Sequence, residues 1–285
     1  MCLPGTIEAV REQEGTVSRR AMLAGGGAAA LAALVPGEAV AHGRRRKHGH
    51  GHGHGHHHHR GRVADLTHEF RTDFPTYTGS LTTRETVVTI PDDGFYAQRW
   101  SFDEHTATHL DAPGHFTAGG RLTPQLTPEE LMLPVAVIDI SRRAASNPDA
   151  TVTADDLRRY ERRHGRIPRD ALVAMNSGWA AKLGTPAFLG RDAGGTFHFP
   201  GFAIDAIEYL LDRGRGVAIG VDTISLDPGN STTFPVHVEW LAADHYGIEG
   251  LNGLDGIPRA GAVASVGVIP WQEGSGGPAR VLATY

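Results

Sequence analysis

The sequence predicts an α/β protein whose strands form one mixed β-sheet. Two observations carry this prediction: from residue 63 onward, short β-branched apolar runs alternate with amphipathic helical segments, and no internal repeat interrupts the pattern. The composition agrees, because 40% hydrophobic and 21% charged residues are typical of a globular protein. We therefore expect one folded domain over residues 63–285.

The strands are predicted from apolar runs and from the turn signals that bound them. Residues 63–67 and 85–90 give the first two, and a Pro-Asp-Asp-Gly turn follows the second. Residues 97–109 also look extended, up to Pro113, which must end ladder pairing. Further buried strands are expected at 134–140, 172–175, 217–221 and 262–268.

Two helices are predicted between these strands. Thr153 begins the first with a capping-box-like pattern, and Gly165 closes it after His164. An amphipathic pattern over residues 203–213 predicts the second, which Gly214 ends. Strands interleaved with helices in this way indicate an α/β domain with a mixed sheet.

The first 62 residues differ from the rest. Arg19 and Arg20, a Gly/Ala/Leu-rich run and the small residues 39–41 together match a twin-arginine (Tat) signal over residues 1–41, although a buried N-terminal helix is the alternative. Residues 42–62 hold nine histidines, six Lys/Arg and no acid, which predicts a disordered arm. We expect Tat export to the periplasm or the extracellular space. The apolar run is too short for a membrane anchor.

Charge and cysteine content narrow the function classes. The first 62 residues hold nine of the 27 Lys/Arg and four of the 32 Asp/Glu, so the body carries a net charge of about −10. That balance argues against nucleic-acid binding. The single cysteine, Cys2, lies in the predicted signal, so a metal in the mature chain must be held by imidazole and carboxylate.

The stretch HTATHLDAPGH at residues 105–115 concentrates titratable groups. Its three histidines and one aspartate all fall on odd positions, namely His105, His109, Asp111 and His115. In an extended backbone, residues of equal parity share one face, so all four could line one cavity. A helix would also bring His105 and His109 together, but the two intervening threonines and the following proline disfavour a helix. The pattern predicts a metal site.

Asp111 suggests that this site holds two cations, because a carboxylate has two oxygens and can bridge. A second cation needs further ligands from the C-terminal third. The sequence there offers an acidic loop after the strand at 217–221, which is followed by an imidazole and another acid. The candidates are Asp222, Asp227, His237 and Glu249. Both aspartates have the alternative of serving as turn or cap residues.

These residues resemble the signature of the cyclase family of metal-dependent hydrolases, H-x-G/A-x-H-x-D-x-P-x-H. Ser225 and Asp227 are similar to that family's S-x-D segment, and His237 and Glu249 to its later histidine and glutamate. The N-terminal segments 65–68 and 75–79 are similar to two more blocks, so the resemblance covers about residues 63–255. It implies a mixed-sheet domain of the swivelling β/β/α type that forms homodimers or larger assemblies such as tetramers.

The resemblance also implies roles for individual residues. His105, His109 and Asp111 would hold one cation, and Asp111, His237 and Glu249 the other, which would be Zn²⁺ with Mn²⁺ as the alternative. His115 would transfer protons. Tyr77 would contact the aromatic substrate where the family's formamidases have tryptophan, a departure that bears on substrate choice.

The implied activity is hydrolysis of an amide bond in a small aromatic substrate by a metal-activated water, as in kynurenine formamidases (N-formylkynurenine type). One alternative is ring opening of a cyclic amide or lactone, as in isatin hydrolases. Another is a secreted metal-buffering protein in which the arm at 42–62 is the functional part. Export conflicts with a role in tryptophan catabolism, which is normally intracellular.

Overall fold

The computed structural model describes residues 61–285, so the predicted signal peptide and nearly all of the predicted arm lie outside the described residues. Twelve strands are present in this part of the chain. They are β1 (Val63–Asp65), β2 (Thr83–Val88), β3 (Ala97–Ser101), β4 (His109–Asp111), β5 (Met132–Asp139), β6 (Thr151–Val152), β7 (Leu172–Asn176), β8 (Gly201–Phe202), β9 (Ala218–Val221), β10 (Tyr246–Glu249), β11 (Ala262–Val268) and β12 (Gly276–Thr284).

Five α-helices lie between these strands within residues 61–285. They are α1 (Ile90–Asp93), α2 (Ser141–Ala144), α3 (Ala154–His164), α4 (Ile204–Asp212) and α5 (Pro235–Ala242). The capping box predicted for α3 is confirmed, because the Thr153 hydroxyl accepts from the amide of Asp156, whose carboxylate accepts from the amide of Thr153. None of the helices in the described region is long and apolar enough to cross a bilayer.

Eight strands form one mixed sheet in the order β1-β12-β11-β5-β7-β9-β10-β4. The pairs β5–β7, β7–β9 and β9–β10 are parallel, whereas β12 pairs antiparallel with β1, β11 and β4. Because β4 pairs with both β10 and β12, the sheet closes on itself like a barrel. The predicted α/β class with a mixed sheet is therefore confirmed, and the swivelling arrangement stays a prediction.

The parallel strands separate two hydrophobic cores. Side chains alternate along β5, so Ile138 belongs to the core that also contains residues of α3, α4 and α5, whereas Val135 and Val137 belong to the second core. This second core includes residues of β4, β10, β11 and β12 and fills the closed sheet. Burial on both faces explains why these strands are continuous apolar runs in the sequence.

The predicted extended run over residues 97–109 is wrong in its second half. Strand β3 ends at Ser101, β4 begins only at His109, and Ala107 between them has a left-handed backbone with φ of 62°. The run therefore turns sharply before it enters the sheet. Residues 113–115 form a 3₁₀ turn, so His105 and His115 do not extend the face of β4.

The chain divides into two units, and of the described residues, 85–99 belong to the first, with α1 and most of the two-stranded sheet of β2 and β3. In the described part of the chain, the other unit comprises residues 61–84 and 100–285. This second unit contains the eight-stranded sheet and every residue of the candidate site.

Candidate active site

Strand register brings three of the candidate ligands together. His109 on β4 lies directly opposite Glu249 on β10, and opposite residues of an antiparallel pair project to the same side. Asp111 is two residues further along β4 and so shares that side. His109, Asp111 and Glu249 are all buried. The closed sheet therefore fixes one imidazole and two carboxylates at one end of the strands.

Asp227 orients the fourth candidate ligand, His237. Its carboxylate accepts from the amides of Val236 and His237 at the start of α5, at 2.9 and 3.1 Å. It also lies 2.6 Å from Nδ1 of His237, so Nε2 is directed toward Glu249 Oε1 at 3.1 Å. Of the two readings of Asp227, the structure shows the cap, and the same carboxylate orients His237.

His105 reaches the cluster from the irregular segment before β4. Its Nδ1 lies 2.6 Å from Asp111 Oδ1, and its ring is half-buried. The left-handed Ala107 directs its carbonyl to Nδ1 of His109 at 3.0 Å, so Nε2 of His109 faces the carboxylates. Gly250 has no side chain to obstruct this carbonyl, which a Cβ would meet at 2.6 Å.

Asp111 lies between two groups of ligand atoms. Its Oδ1 faces Nδ1 of His105 and lies 3.2 Å from Nε2 of His109, whereas its Oδ2 lies 3.7 Å from Nε2 of His237. The first group is His105, His109 and Asp111, and the second is Asp111, His237 and Glu249; within each group the ligand atoms are less than 4.8 Å apart. The two groups share only Asp111.

The buried charges shift one another's pKa values. Burial opposes the charged form of His109, but the carboxylates of Asp111 and Glu249 outweigh it and raise the pKa of this imidazole to about 9. Burial likewise favours neutral Asp111, yet the surrounding imidazoles hold its pKa well below the usual range. For Glu249, burial and the Asp111 charge both raise the pKa. Neighbouring carboxylates repel each other when both are ionised, and positive charge near both relieves that repulsion.

The cluster fits divalent cations. Nε2 of His109 and Oδ2 of Asp111 are buried and, within residues 61–285, have no hydrogen-bond partner. A buried polar atom without a partner costs roughly 1–3 kcal/mol, and one cation in each group would satisfy one of these two atoms. Imidazole and carboxylate are suitable ligands for Zn²⁺ and for Mn²⁺. The residues present can thus hold one cation in each of the two groups.

His115 lies beside the cluster and belongs to neither group. Its ring stacks on that of His105, with centroids 3.7 Å apart, and it lines the cavity. Burial is the main cause that lowers the pKa of His115 to about 4, and the neighbouring imidazoles act in the same direction. His115 is therefore not one of the candidate ligands, although it touches one, and it lies beside any molecule bound in the cavity.

An aromatic wall borders the cavity of about 260 Å³ that contains the cluster. Tyr77 packs against Phe197 and Phe234, and Phe116 packs against Phe234 and His237. Phe234 has a left-handed backbone, with φ of 50°, at the residue before α5. The cavity is suited to a small, flat apolar molecule with one polar end at the ligands.

Asp222, the other candidate acid, lies outside both ligand groups. It accepts from the amide and hydroxyl of Ser177 and from the amide of Trp179. These bonds tie the end of β9 to the chain after β7. For Asp222 the structure thus favours the turn reading over the ligand reading.

Several contributing residues were not recognisable in the sequence. The carbonyl of Ala107 acts through a backbone conformation that no pattern reveals, and Phe234 precedes a helix that was not predicted. Glu104 and Ser275 lie behind His105 and are 171 residues apart in the chain. The only available signal was the position of Glu104 next to the histidine motif.

An α/β barrel-like sheet with two imidazole–carboxylate groups beside an aromatic cavity defines the class of a metal-dependent enzyme acting on small molecules. The sequence pattern of a family described as "putative cyclase" matches residues 64–228. The chain belongs to this cyclase family of metal-dependent hydrolases.

Named relatives agree with this assignment. An isatin hydrolase of Roseibium aggregatum is 36% identical over 202 residues, which covers 67% of this chain and 76% of the relative. A kynurenine formamidase of Salinibacter ruber is 29% identical over 147 residues, which covers 52% and 60%. The crystal structure of an isatin hydrolase bound to the product analogue thioisatinate superposes with a TM-score of 0.75 at 30% identity, covering 79% of this chain and 93% of the other.

Proposed function

We propose that this protein hydrolyses an amide bond in a small aromatic substrate and uses two divalent cations to do so. The observation that carries the proposal is the pair of ligand groups that share Asp111 at the wall of an aromatic cavity. His105, His109 and Asp111 would hold one cation, and Asp111, His237 and Glu249 the other. Zn²⁺ is the first choice and Mn²⁺ the second.

Bound cations would supply Lewis acidity toward the substrate carbonyl and toward water. The chain's own residues do the rest. Asp227 and the carbonyl of Ala107 hold the imidazoles of His237 and His109 with Nε2 toward the cluster. Tyr77 and Phe234 both line the cavity, so an aromatic ring packed against them would have its amide near the ligands.

His115 is proposed to move the protons. Hydrolysis joins the oxygen of water to the carbonyl carbon and breaks the carbon–nitrogen bond, so water loses a proton and the nitrogen gains one. An aryl amine leaves poorly until it is protonated, and a positioned imidazole can transfer that proton. The stacking of His115 on His105 at the wall of the cavity, outside both ligand groups, supports this role.

Two substrate types suit this site. Hydrolysis of a cyclic aromatic amide such as isatin opens the ring and leaves an aryl amine and a carboxylate on one molecule. The compact, flat shape of such a substrate matches a cavity of about 260 Å³. The similarity to an isatin hydrolase over 76% of that protein favours this type. An N-formyl aryl amine such as N-formylkynurenine is the second candidate, and the similarity to a kynurenine formamidase supports it. Tat export and a homodimer or tetramer belong to the same proposal.

The test is to measure metal content by mass spectrometry and hydrolysis of isatin and N-formylkynurenine with the same preparation. We expect about two equivalents of cation at the site beyond those bound by the His-rich stretch, and turnover of at least one substrate that a chelator abolishes and added Zn²⁺ or Mn²⁺ restores. Turnover that persists without metal, or a metal-loaded protein inert toward aromatic amides and lactones, would contradict the proposal.

The metal-buffer alternative is tested by a deletion of residues 42–60. An enzyme keeps its turnover at saturating metal after this deletion, whereas a buffer loses most of its binding capacity. Retained turnover in the deletion variant would support the hydrolase. No turnover in either the full chain or the variant, together with a large loss of bound metal on deletion, would support the buffer.

A further inference from the structure

The three candidate imidazole ligands differ in what they contact on the nitrogen that faces away from the cluster. His109 donates Nδ1–H to the carbonyl of Ala107, and His237 faces the carboxylate of Asp227. Both partners can only accept, so each fixes the ring with its other nitrogen free for a cation. For His105, the atom 3.1 Å from Nε2 is the hydroxyl of Ser275, which can either donate or accept.

Glu104 removes this ambiguity. Its Oε2 lies 2.7 Å from Oγ of Ser275 and 3.0 Å from the Ser275 amide nitrogen. A carboxylate only accepts, so the Ser275 hydroxyl proton is directed to Glu104 and the hydroxyl lone pairs face His105. Nε2 of His105 must then carry a proton and donate it. Nδ1, which faces Asp111, is left as the nitrogen that can bind a cation.

The backbone near Ser275 holds the ring in this geometry. The Ser275 carbonyl accepts from the Ala112 amide at 2.9 Å, which ties the segment to the end of β4. A Cβ at Gly276 would overlap Cε1 of His105, so only glycine lets the ring approach β12 this closely. His115 covers the ring as its stacking partner.

We propose that Glu104 and Ser275 are positioning residues that act as one hydrogen-bonded pair. Together they fix His105 in the tautomer with the proton on Nε2. Nδ1 of His105 is then free to bind the cation shared with His109 and Asp111. This inference rests on the proposed metal site. It assigns a function to a half-buried acid outside the ligand groups, and it makes His105 the ligand that binds through Nδ1 while the other two bind through Nε2.

The test is Zn²⁺ titration by calorimetry on the full chain and its variants. Glu104→Ala and Ser275→Ala should each weaken the cluster's Zn²⁺ affinity by roughly 10- to 100-fold, the usual effect of losing the partner of a metal-binding histidine. The double variant should bind Zn²⁺ no more weakly than either single variant, because the two residues act as one hydrogen-bonded pair. The His-rich stretch is the same in every variant, so its own binding cancels.

Glu104→Gln tests whether Glu104 acts by accepting the Ser275 hydroxyl proton or through its negative charge. The amide oxygen of glutamine still accepts from the Ser275 hydroxyl, so this variant should bind Zn²⁺ nearly as well as the wild type. Glu129→Ala and Ser146→Ala are matched controls at exposed positions and should leave the Zn²⁺ affinity unchanged. In ¹⁵N-histidine NMR of the Zn²⁺-loaded protein, His105 should carry its proton on Nε2.

Unchanged affinity in both alanine variants would overturn the inference. So would equal losses in Glu104→Gln and Glu104→Ala, because the acid would then act through its charge. A proton on Nδ1 of His105 would do the same. No substrate enters these measurements, so a failure of the proposed hydrolase activity would show in the turnover assays and leave this result standing.

Discussion

Two buried carboxylates at the strand ends have opposite electrostatic environments. Asp111 is surrounded by three imidazoles, which hold its pKa well below the usual range although burial pushes the other way. Burial dominates at Asp222, whose hydrogen-bond donors are the uncharged amide and hydroxyl groups of Ser177 and Trp179, and raises its pKa to about 6.

The difference shows that burial alone does not define a metal ligand. Asp222 uses its oxygens to satisfy local donors, whereas Oδ2 of Asp111 has no hydrogen-bond partner within residues 61–285. Asp222, whose oxygens are satisfied, holds the end of β9 against the chain after β7. An acid with an unsatisfied oxygen among imidazoles can accept a cation.

The largest effect is expected from Asp111→Asn. Losing the shared carboxylate should weaken cation binding by roughly three orders of magnitude, equivalent to about 4 kcal/mol, and hydrolysis should fall with it. Metal content after dialysis, with turnover of isatin, measures both. Asp212→Asn, an exposed acid at the end of α4, is the control and should bind metal normally. An Asp111→Asn variant with full metal content would mean that the two acids do not differ in this way.

His115→Ala separates proton transfer from cation binding in the Asp111 region. Turnover should fall by roughly two to four orders of magnitude, the usual contribution of a positioned acid–base group. Metal content should stay at the wild-type level, because His115 belongs to neither ligand group. Equal losses of metal and turnover would instead make His115 a ligand.

The sequence predicted the parts of this comparison that depend on local pattern. The apolar runs of β5, β7, β9 and β11 and the capping box of α3 were recognisable because each depends on residues near one another in the chain. Equal parity was a correct guide within β4, where His109 and Asp111 do share a face.

The remaining features depend on contacts between distant residues. Strand β12 begins with Gly-Gly-Pro and reads as a loop, yet it closes the sheet against β4. His105 and His115 reach the cluster from a turn and a 3₁₀ segment, so the shared odd numbering of all four residues does not explain their convergence. Ala107 with positive φ is what breaks the extended run, and no residue pattern announces it.

The smallest effect on the metal site is expected from Asp222→Asn, because Asp222 belongs to neither ligand group and the variant should keep wild-type metal affinity. Its effect on folding should depend on pH. The folded-state pKa of about 6 lies above the unfolded value of 3.8, so the folded protein holds this proton more tightly. This acid therefore lowers the free energy of unfolding by about 2 kcal/mol as pH rises from about 4 to 6.

Asparagine cannot ionise, so the pH profile of the variant should be flatter than that of the wild type across this window. Urea unfolding of both proteins, with chelator present from pH 4 to 7, measures the difference, and titrations elsewhere in the chain are common to both. Parallel profiles would mean that Asp222 is already ionised at pH 4. In that case three uncharged donors would be enough to offset the burial of a carboxylate, and the contrast between the two acids would depend only on the imidazoles that lower the pKa of Asp111.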